Sequence, residues 1–496
     1  MDWKKLQNGS DIRGVALEGV PGEDVNITPE VSSTIAKAFI TWLKGKTKST
    51  DITLAIGTDS RLSGPALKDA FIDGAVEAGA TIYDCGLAST PAMFMTTVDD
   101  DKPVTGGVMI TASHLPFNRN GIKFFTKDGG LEKADIADIL DIASRGELPK
   151  KTDGGRCIER DFMSRYKAHL TDYIRAEVNA DDYAHPLQGL HIIVDAGNGD
   201  GGFFVDVLEN LGADTTGSQY TEPNGHFPNH IPNPEDKKAM ASICQAVVRS
   251  GADLGVIFDT DVDRSAIVDR HGDPINRNSL IALIAAVILK EHPGSTVVTD
   301  SVTSDGLGEF IGALGGKHHR FKRGYKNVID EGIRLNKSGE ECWLAIETSG
   351  HCALRENYFL DDGAYLVAKL IVQAARLRKD GKELQDLIAT LRQPAESTEI
   401  RFKVSADDVQ GYGQSVLDKV QEAVAAVSGW EVVSPNYEGV RVSCKNSDER
   451  GWFLLRKSLH DPVLPLNIES DVKGGVETIR QKLFEIIKPF DKLTVM

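Results

Sequence analysis

The strongest constraint on the fold is a repeated alternation of short apolar runs with helix-like segments, each run ending in a polar loop. Residues 51–56 read as a strand, Gly57-Thr58-Asp59 as the turn after it and residues 66–78 as an amphipathic helix. Residues 81–84, 107–112 and 122–125 are further strands. The pattern returns with a strand at 190–194, a helix at 203–211 and a strand at 254–258. It returns again with an apolar helix at 280–289 and strands at 297–299 and 344–346. Such βα alternation predicts mainly parallel sheets covered by helices, with ligand chemistry in the loops at the strand C-termini.

The last hundred residues break the pattern. Residues 399–404, 431–433, 440–444 and 452–455 read as strands of a mixed sheet, and 476–487 as a closing helix. A chain of 496 residues allows three or four domains at roughly 100–200 residues each. With boundaries near Arg156, His271 and Arg392, the reading is α/β with four domains: 1–155, 156–271 and 272–392 as α/β units with mixed-parallel sheets, and 393–496 as a smaller α+β domain.

A formal net charge of −17 argues against nonspecific binding to nucleic acid or anionic membranes. An anionic substrate would then need a local cluster of Arg and Lys. Cys85, Cys157, Cys244, Cys342, Cys352 and Cys444 contain no C-x-x-C pair and read as reduced core thiols. No apolar run reaches the roughly 18 residues of a membrane-spanning helix, and the start lacks a signal-peptide core. The expected location is cytoplasmic, or a plastid stroma if a transit peptide has been removed.

Two loops carry most of the chemistry. In Thr111-Ala112-Ser113-His114-Leu115-Pro116 an apolar strand ends in small and polar residues, which places Ser113 at a strand tip beside His114. A serine hydroxyl needs a base or a field to act as a nucleophile, and Lys123 on the next strand offers positive charge. The plainer reading is a loop serine bonded to its own backbone. In Asp259-Thr260-Asp261-Val262-Asp263-Arg264 three carboxylates alternate directly after a buried strand. Hard oxygen ligands in one loop suit Mg²⁺, and like charges so close repel unless a cation joins them. The plainer reading is a solvated acidic turn.

Three further features are weaker. Gly197-Asn198-Gly199-Asp200-Gly201-Gly202 matches the dinucleotide G-x-G-x-x-G, but Glu222 downstream lies in a loop and two aspartates crowd the place for a pyrophosphate, so it reads as a tight turn. Glu347-Thr348-Ser349-Gly350-His351 alternates groups suited to sugar hydroxyls. Lys322-Arg323-Gly324-Tyr325-Lys326 and Arg456-Lys457-Ser458-Leu459-His460 supply the local cations that the net charge demands. His226, His230, His318 and His319 read as ordinary structure.

In chain order these segments resemble the α-D-phosphohexomutase superfamily. Ser10-Asp11-Ile12-Arg13-Gly14 is similar to its D-I-R-G, and Gly57-Thr58-Asp59-Ser60-Arg61-Leu62-Ser63 to its G-x-D-x-R-x-S. The serine loop resembles T-A-S-H-N-P with Leu115 in place of Asn. The acidic loop resembles D-x-D-x-D-R, residues 347–351 resemble E-x-S-G-H, and Asp361-Asp362-Gly363 resembles a further signature. The family's phosphate loop R-x-S-G/N-T-x-P reads here Arg456-Lys457-Ser458-Leu459-His460-Asp461-Pro462, with His460 in place of Thr, a variant that resembles a plant and algal-like branch.

The resemblance implies four domains around a central cleft and an enzyme that interconverts hexose 1-phosphate and hexose 6-phosphate. It implies Ser113 as phosphoryl carrier, and one Mg²⁺ per chain held by Asp259, Asp261 and Asp263 together with the Ser113 phosphate. Arg13, His114, Lys123 and Lys322 are implied for charge or proton transfer. For substrate it implies Glu347, Ser349, His351, Arg264, Arg456, Ser458 and His460. A hexose 1,6-bisphosphate is the expected intermediate and activator, and a monomer or weak dimer the expected state. Thr348 does not match the glucosamine-type Gln, which favours glucose or mannose phosphates. The rival reading is a non-catalytic sugar-phosphate-binding relative, suggested by the altered loop at Leu459-His460.

Overall fold

The computed structural model describes residues 2–458 and 461–496. These fall into two compact units: Met1–Asn276 with Ser349–Asp386, and Arg277–Thr348 with Leu387–Met496. The chain therefore leaves the second unit for the first between Thr348 and Ser349, inside the segment read above as one polar loop.

The first unit holds two sheets. Strands β1 (Asp11–Val15), β2 (Thr53–Thr58), β3 (Thr81–Leu87), β4 (Gly106–Ile110), β5 (Arg119–Thr126) and β6 (Arg156–Glu159) lie in the order β1-β5-β4-β2-β3-β6. β2 pairs in parallel with β3 and β4, whereas β5 runs antiparallel to both β1 and β4. Helix α1 (Pro29–Thr47) starts because Thr28 Oγ1 accepts the Val31 N–H and Pro29 pre-sets the first turn. Its apolar stripe, Ile35, Phe39 and Leu43, is fully buried. α1 packs on α2 (Gly64–Glu77), where a Cβ on Gly74 would lie 2.4 Å from the Ser33 carbonyl oxygen, so only glycine allows this approach. The short helix α3 (Thr90–Met95) follows β3, and α4 (Lys133–Arg145) and α5 (Phe162–Val178) follow later.

The second sheet is small: β7 (Ile192–Asp195) is parallel to β8 (Leu254–Phe258), and β9 (Ser265–Asp269) turns back antiparallel beside β8. Helices α6 (Phe203–Asn210) and α7 (Lys237–Ser250) belong to it. α7 begins where Asp236 accepts the Lys238 and Ala239 amides and stops at left-handed Gly251. The helix Gly363–Lys379 returns to this unit and packs on α5.

In the second unit β10 (Thr296–Thr299), β11 (Lys317–Arg320) and β12 (Cys342–Ile346) are parallel, with α8 (Arg277–Glu291) before them and α9 (Asp305–Ala313) and α10 (Tyr325–Lys337) between them. α8 is buried along nearly all of Leu280–Leu289, which is why it shows no apolar stripe. The chain ends in an antiparallel sheet of β13 (Glu396–Val404), β14 (Trp430–Val432), β15 (Val440–Cys444), β16 (Gly451–Leu455), β17 (Val463–Ser470) and β18 (Leu493–Val495), in the order β14-β15-β16-β17-β13-β18. Helices α11 (Val409–Val424) and α12 (Gly475–Ile487) cover it, burying Val416, Val420, Ile479 and Leu483 with Phe453 and Leu466.

β6 pairs with β3, so the first sheet runs on to Glu159. The fold is thus the mixed α/β architecture expected, with one difference of detail. All six cysteines are free, but Cys157 is exposed and Cys244 half-buried, because β6 is an edge strand and Cys244 sits at the rim of α7; neither is the core thiol expected. Among the described residues no helix is long and apolar enough to cross a membrane.

Candidate active site

The site is built where β4 and β8 deliver their loops. After β4 the chain turns sharply, and Ser113 sits at φ +52°, a left-handed conformation that a serine does not adopt without help. Its amide donates to Thr111 Oγ1 (2.8 Å) and its side chain is buried. The Ser113 Oγ donates to Asp259 Oδ2 (2.9 Å), accepts from Arg264 Nη2 (3.3 Å) and lies 3.3 Å from His114 Nδ1. The structure therefore joins the serine loop directly to the acidic loop.

That loop is also strained. Val262 is fully buried at φ +68°, a position that costs a β-branched residue about 1–3 kcal/mol. One oxygen from each of Asp259, Asp261 and Asp263 lies within 4.8 Å of the others, and all three residues are fully buried. Asp261 Oδ2 accepts from Thr90 Oγ1 (2.5 Å), and Thr90 N–H donates to the Asp261 carbonyl (2.9 Å), so α3 anchors the loop. Lys123 Nζ pairs with Asp263 Oδ2 and lies 3.5 Å from Asp261 Oδ2. Arg264 bonds Asp259 Oδ2 through Nε and Nη2.

Asp261 Oδ1 and Asp263 Oδ1 accept no hydrogen bond, although Arg264 Nε and His351 Nδ1 each lie 3.9 Å from the latter. Buried, unpaired carboxylate oxygens are costly unless a cation meets them, and a cluster of hard oxygens fits a divalent ion such as Mg²⁺. The electrostatics agree. Burial and the nearby Asp263 carboxylate push Asp259 well above its ordinary range, against the pull of Arg264. Burial also opposes ionisation of Asp263, but Lys123, His351 and Arg264 overcome it and hold that carboxyl low.

The two histidines differ. Burial, with Arg264 and Arg13 nearby, pushes His114 down to about 2, so its ring is neutral. Burial works against charge on His351 as well, yet Asp361 Oδ2 at 2.6 Å from Nδ1 and Asp263 Oδ1 at 3.9 Å raise it to about 9, so it is a cation at neutral pH. Arg13 on β1 pairs with Asp11 (3.0 Å). Ser349 is buried in the same unit.

The remaining sequence-predicted residues lie in the second unit. Glu347 Oε1 accepts the Gly324 N–H (2.6 Å), which ties the end of β12 to the start of α10. Lys322 is exposed, and its ammonium lies 5.8 Å from the Phe321 ring centroid. Arg456 is buried, its Nη1 lies 3.8 Å from Glu438 Oε1, and its Nε donates no hydrogen bond. Ser458 N–H donates to the Val463 carbonyl (3.0 Å). His460 lies outside the described residues. The chain passes from the second unit to the first between Thr348 and Ser349, so Glu347 belongs to one and Ser349 and His351 to the other.

The glycine-rich turn after β7 packs on the acidic loop. A Cβ on Gly199 would lie 2.6 Å from the Thr260 carbonyl oxygen, and Asp200 N–H donates to that same oxygen (2.8 Å). The small residues make room for protein backbone, which is the tight-turn reading. Sequence reasoning assigned no role to Asp59, Arg61, Thr90, Thr111 or Asp361, although Asp59, Arg61 and Asp361 stood inside quoted motifs and Thr111 beside the serine. Nothing local marked Thr90, which meets Asp261 171 positions away.

Family models described as phosphoglucomutase/phosphomannomutase alpha/beta/alpha domains I, II and III match residues 4–150, 165–272 and 276–394. A phosphomannomutase/phosphoglucomutase of Pseudomonas syringae is 30% identical over 432 residues, covering 86% of this chain and 85% of that protein. A phosphoglucomutase/phosphomannomutase of Thermococcus kodakarensis is 30% identical over 472 residues, covering 94% of each. The crystal structure of a phosphoglucomutase/phosphomannomutase family protein from Burkholderia thailandensis shares the fold, with a TM-score of 0.79, 24% identity and 98% of both chains covered.

Proposed function

The chain belongs to the phosphoglucomutase/phosphomannomutase family, the α-D-phosphohexomutases, and from that premise we propose that it interconverts glucose or mannose 1-phosphate and 6-phosphate through phospho-Ser113. The observation that carries this reading is the 2.9 Å bond from Ser113 Oγ to Asp259 in a fully buried acidic loop, two of whose carboxylate oxygens accept no hydrogen bond.

Asp259, Asp261 and Asp263 would hold Mg²⁺, which when bound would offset the negative charge of the transferring phosphoryl group. The protein's own groups do the rest. The free hydroxyl of a hexose 1-phosphate attacks the phosphorus of phospho-Ser113; the new O–P bond forms as the Ser113 Oγ–P bond breaks. The proton lost by the attacking hydroxyl is balanced by the one returned to Ser113 Oγ. Lys123 and Arg264, fixed by buried carboxylates, need no reorganisation to stabilise the charge in flight. The resulting hexose 1,6-bisphosphate reverses and gives its other phosphate back to Ser113.

For substrate we assign Glu347 and Ser349 to sugar hydroxyls, and Arg456 and Ser458 to the phosphate that does not move. The undonated Nε of buried Arg456 supports this role, since a guanidinium short of acceptors suits an incoming phosphate. The test is a coupled assay with glucose 1-phosphate, or its mannose counterpart, plus Mg²⁺ and a trace of the 1,6-bisphosphate. Phosphopeptide mapping accompanies it. Turnover with phosphate on Ser113 is expected; an active enzyme never phosphorylated there would sink the reading.

A further inference from the structure

The serine loop is gripped from behind by one guanidinium whose five N–H donors are all engaged. Arg61 is only 1% exposed. Its Nη2 donates to the carbonyls of Ser113 and Leu115, the second at 2.6 Å. Its Nη1 donates to the carbonyls of Pro116 (2.7 Å) and Arg119 (3.1 Å). The fifth donor, Nε, binds Asp59 Oδ2 (3.2 Å). Asp59 is itself buried and extends the grip: Oδ1 accepts the Arg61 amide (3.0 Å), and Oδ2 accepts from Thr111 Oγ1 (2.7 Å). Thr111 Oγ1 in turn accepts the Ser113 amide (2.8 Å). Ser113 is therefore held at its carbonyl by Arg61 and at its amide by Thr111, with Asp59 joining the two. The Phe227 ring closes the outer side, its centroid 5.3 Å from Arg61 Cζ.

A buried ion pair in a core is often replaceable without loss of stability. This one differs in where its donors go: four of the five meet carbonyls of residues 113–119, the loop that presents Ser113. One of those carbonyls is Ser113's own, on a non-glycine residue at φ +52°. Left to itself the loop would relax towards ordinary backbone, and Ser113 Oγ would swing from Asp259. We propose that Arg61 is a positioning residue for phosphoryl transfer, fixing the Ser113 loop in the one conformation that presents its Oγ to the acidic loop. This rests on the reading of Ser113 as phosphoryl carrier.

Arg61→Lys is the sharpest test. It keeps the charge, but an ammonium's three donors radiate from one point and cannot reach four carbonyls and Asp59. The expected result is a fall in kcat of about 100-fold, the cost of a displacement near 1 Å at a reacting atom, with the KM for glucose 1-phosphate nearly unchanged. In Arg61→Ala, added guanidinium chloride at millimolar levels should restore part of kcat, whereas methylammonium should not. Thermal midpoints measured alongside separate positioning from stability. A wild-type kcat per folded molecule in Arg61→Lys overturns the inference, as does a lowered midpoint with kcat intact. If neither Arg61 variant folds, Thr111→Val decides. It removes only the hydroxyl between Asp59 and the Ser113 amide, and should cost about tenfold in kcat, recovered in Thr111→Ser; no loss overturns the proposal. Phosphate mapped to Ser113 in the wild type keeps the two failures apart: without it the functional reading falls, and with it an indifferent Arg61 sinks this inference alone.

Discussion

The serine and acidic loops of the first unit and the basic loops of the second show two ways of using charge. Around Ser113 nearly every group is buried and paired: Asp259 with Arg264, Asp263 with Lys123, His351 with Asp361. In the second unit Lys322 is exposed and Arg456 keeps an undonated Nε. The first arrangement spends folding energy before any substrate arrives, which suits stabilisation of a transient charge. The second leaves donors under-used, which suits a ligand that must be taken up and released. The contrast predicts that damage to the first set lowers kcat, and damage to the second raises KM.

The largest expected effect is that of Ser113→Ala. With the phosphoryl carrier gone, kcat should fall by about a thousandfold or more while far-UV circular dichroism keeps the wild-type shape. Wild-type rates would remove Ser113 from the chemistry and with it the contrast between the two regions. Next comes Asp261→Asn, which leaves an acceptor for Thr90 but weakens the oxygen cluster. Mg²⁺ affinity, followed by calorimetry, should drop by about 10–100-fold, and turnover with it. A variant with unaltered Mg²⁺ binding would mean that the orphaned oxygens of this loop have another purpose.

Much of this site was legible because its chemistry is local in sequence. The alternating carboxylates after β8 and the serine at the tip of β4 each sit in one short stretch, and hydrophobic periodicity placed both at strand ends. What escaped was whatever depends on a distant partner. Thr90 looks like an ordinary helix-start threonine until it meets Asp261. Arg61 looks like a surface arginine in a turn until its guanidinium is seen to face four carbonyls more than fifty positions away. Likewise α8 showed a run of apolar residues with no face, and only its burial on all sides explains that.

The second unit's half of the contrast is tested by Arg456→Ala. Loss of one charge-assisted contact to phosphate should raise the KM for the sugar phosphate by about 10–100-fold and change kcat less. An equal fall in kcat would show that this arginine acts in the transition state, and the division between the regions would not hold.

The smallest effect concerns a carboxyl of the second unit that belongs to neither loop. Glu469 on β17 accepts the Trp452 indole N–H (2.9 Å), while the Arg441 Cζ lies over that indole, 3.6 Å from the ring centroid. Burial pushes Glu469 up to about 7, with Asp305 adding to the push and the Trp452 bond and Arg441 opposing it. Between its ordinary value of 4.5 and about 7 the folded protein therefore holds a proton that the unfolded chain has released. By linkage its contribution to stability falls as pH rises through that window. Glu469→Gln keeps an acceptor for Trp452 and cannot ionise. The difference in thermal midpoint, variant minus wild type, should thus grow more positive from pH 4.5 to pH 7 and then level off, at about 2–4 °C for each kcal/mol involved. Scanning fluorimetry across that range reads it directly. A flat difference would mean that Glu469 stays ionised, and that under-satisfied charge in the second unit extends beyond its basic loops into the sheet beneath them.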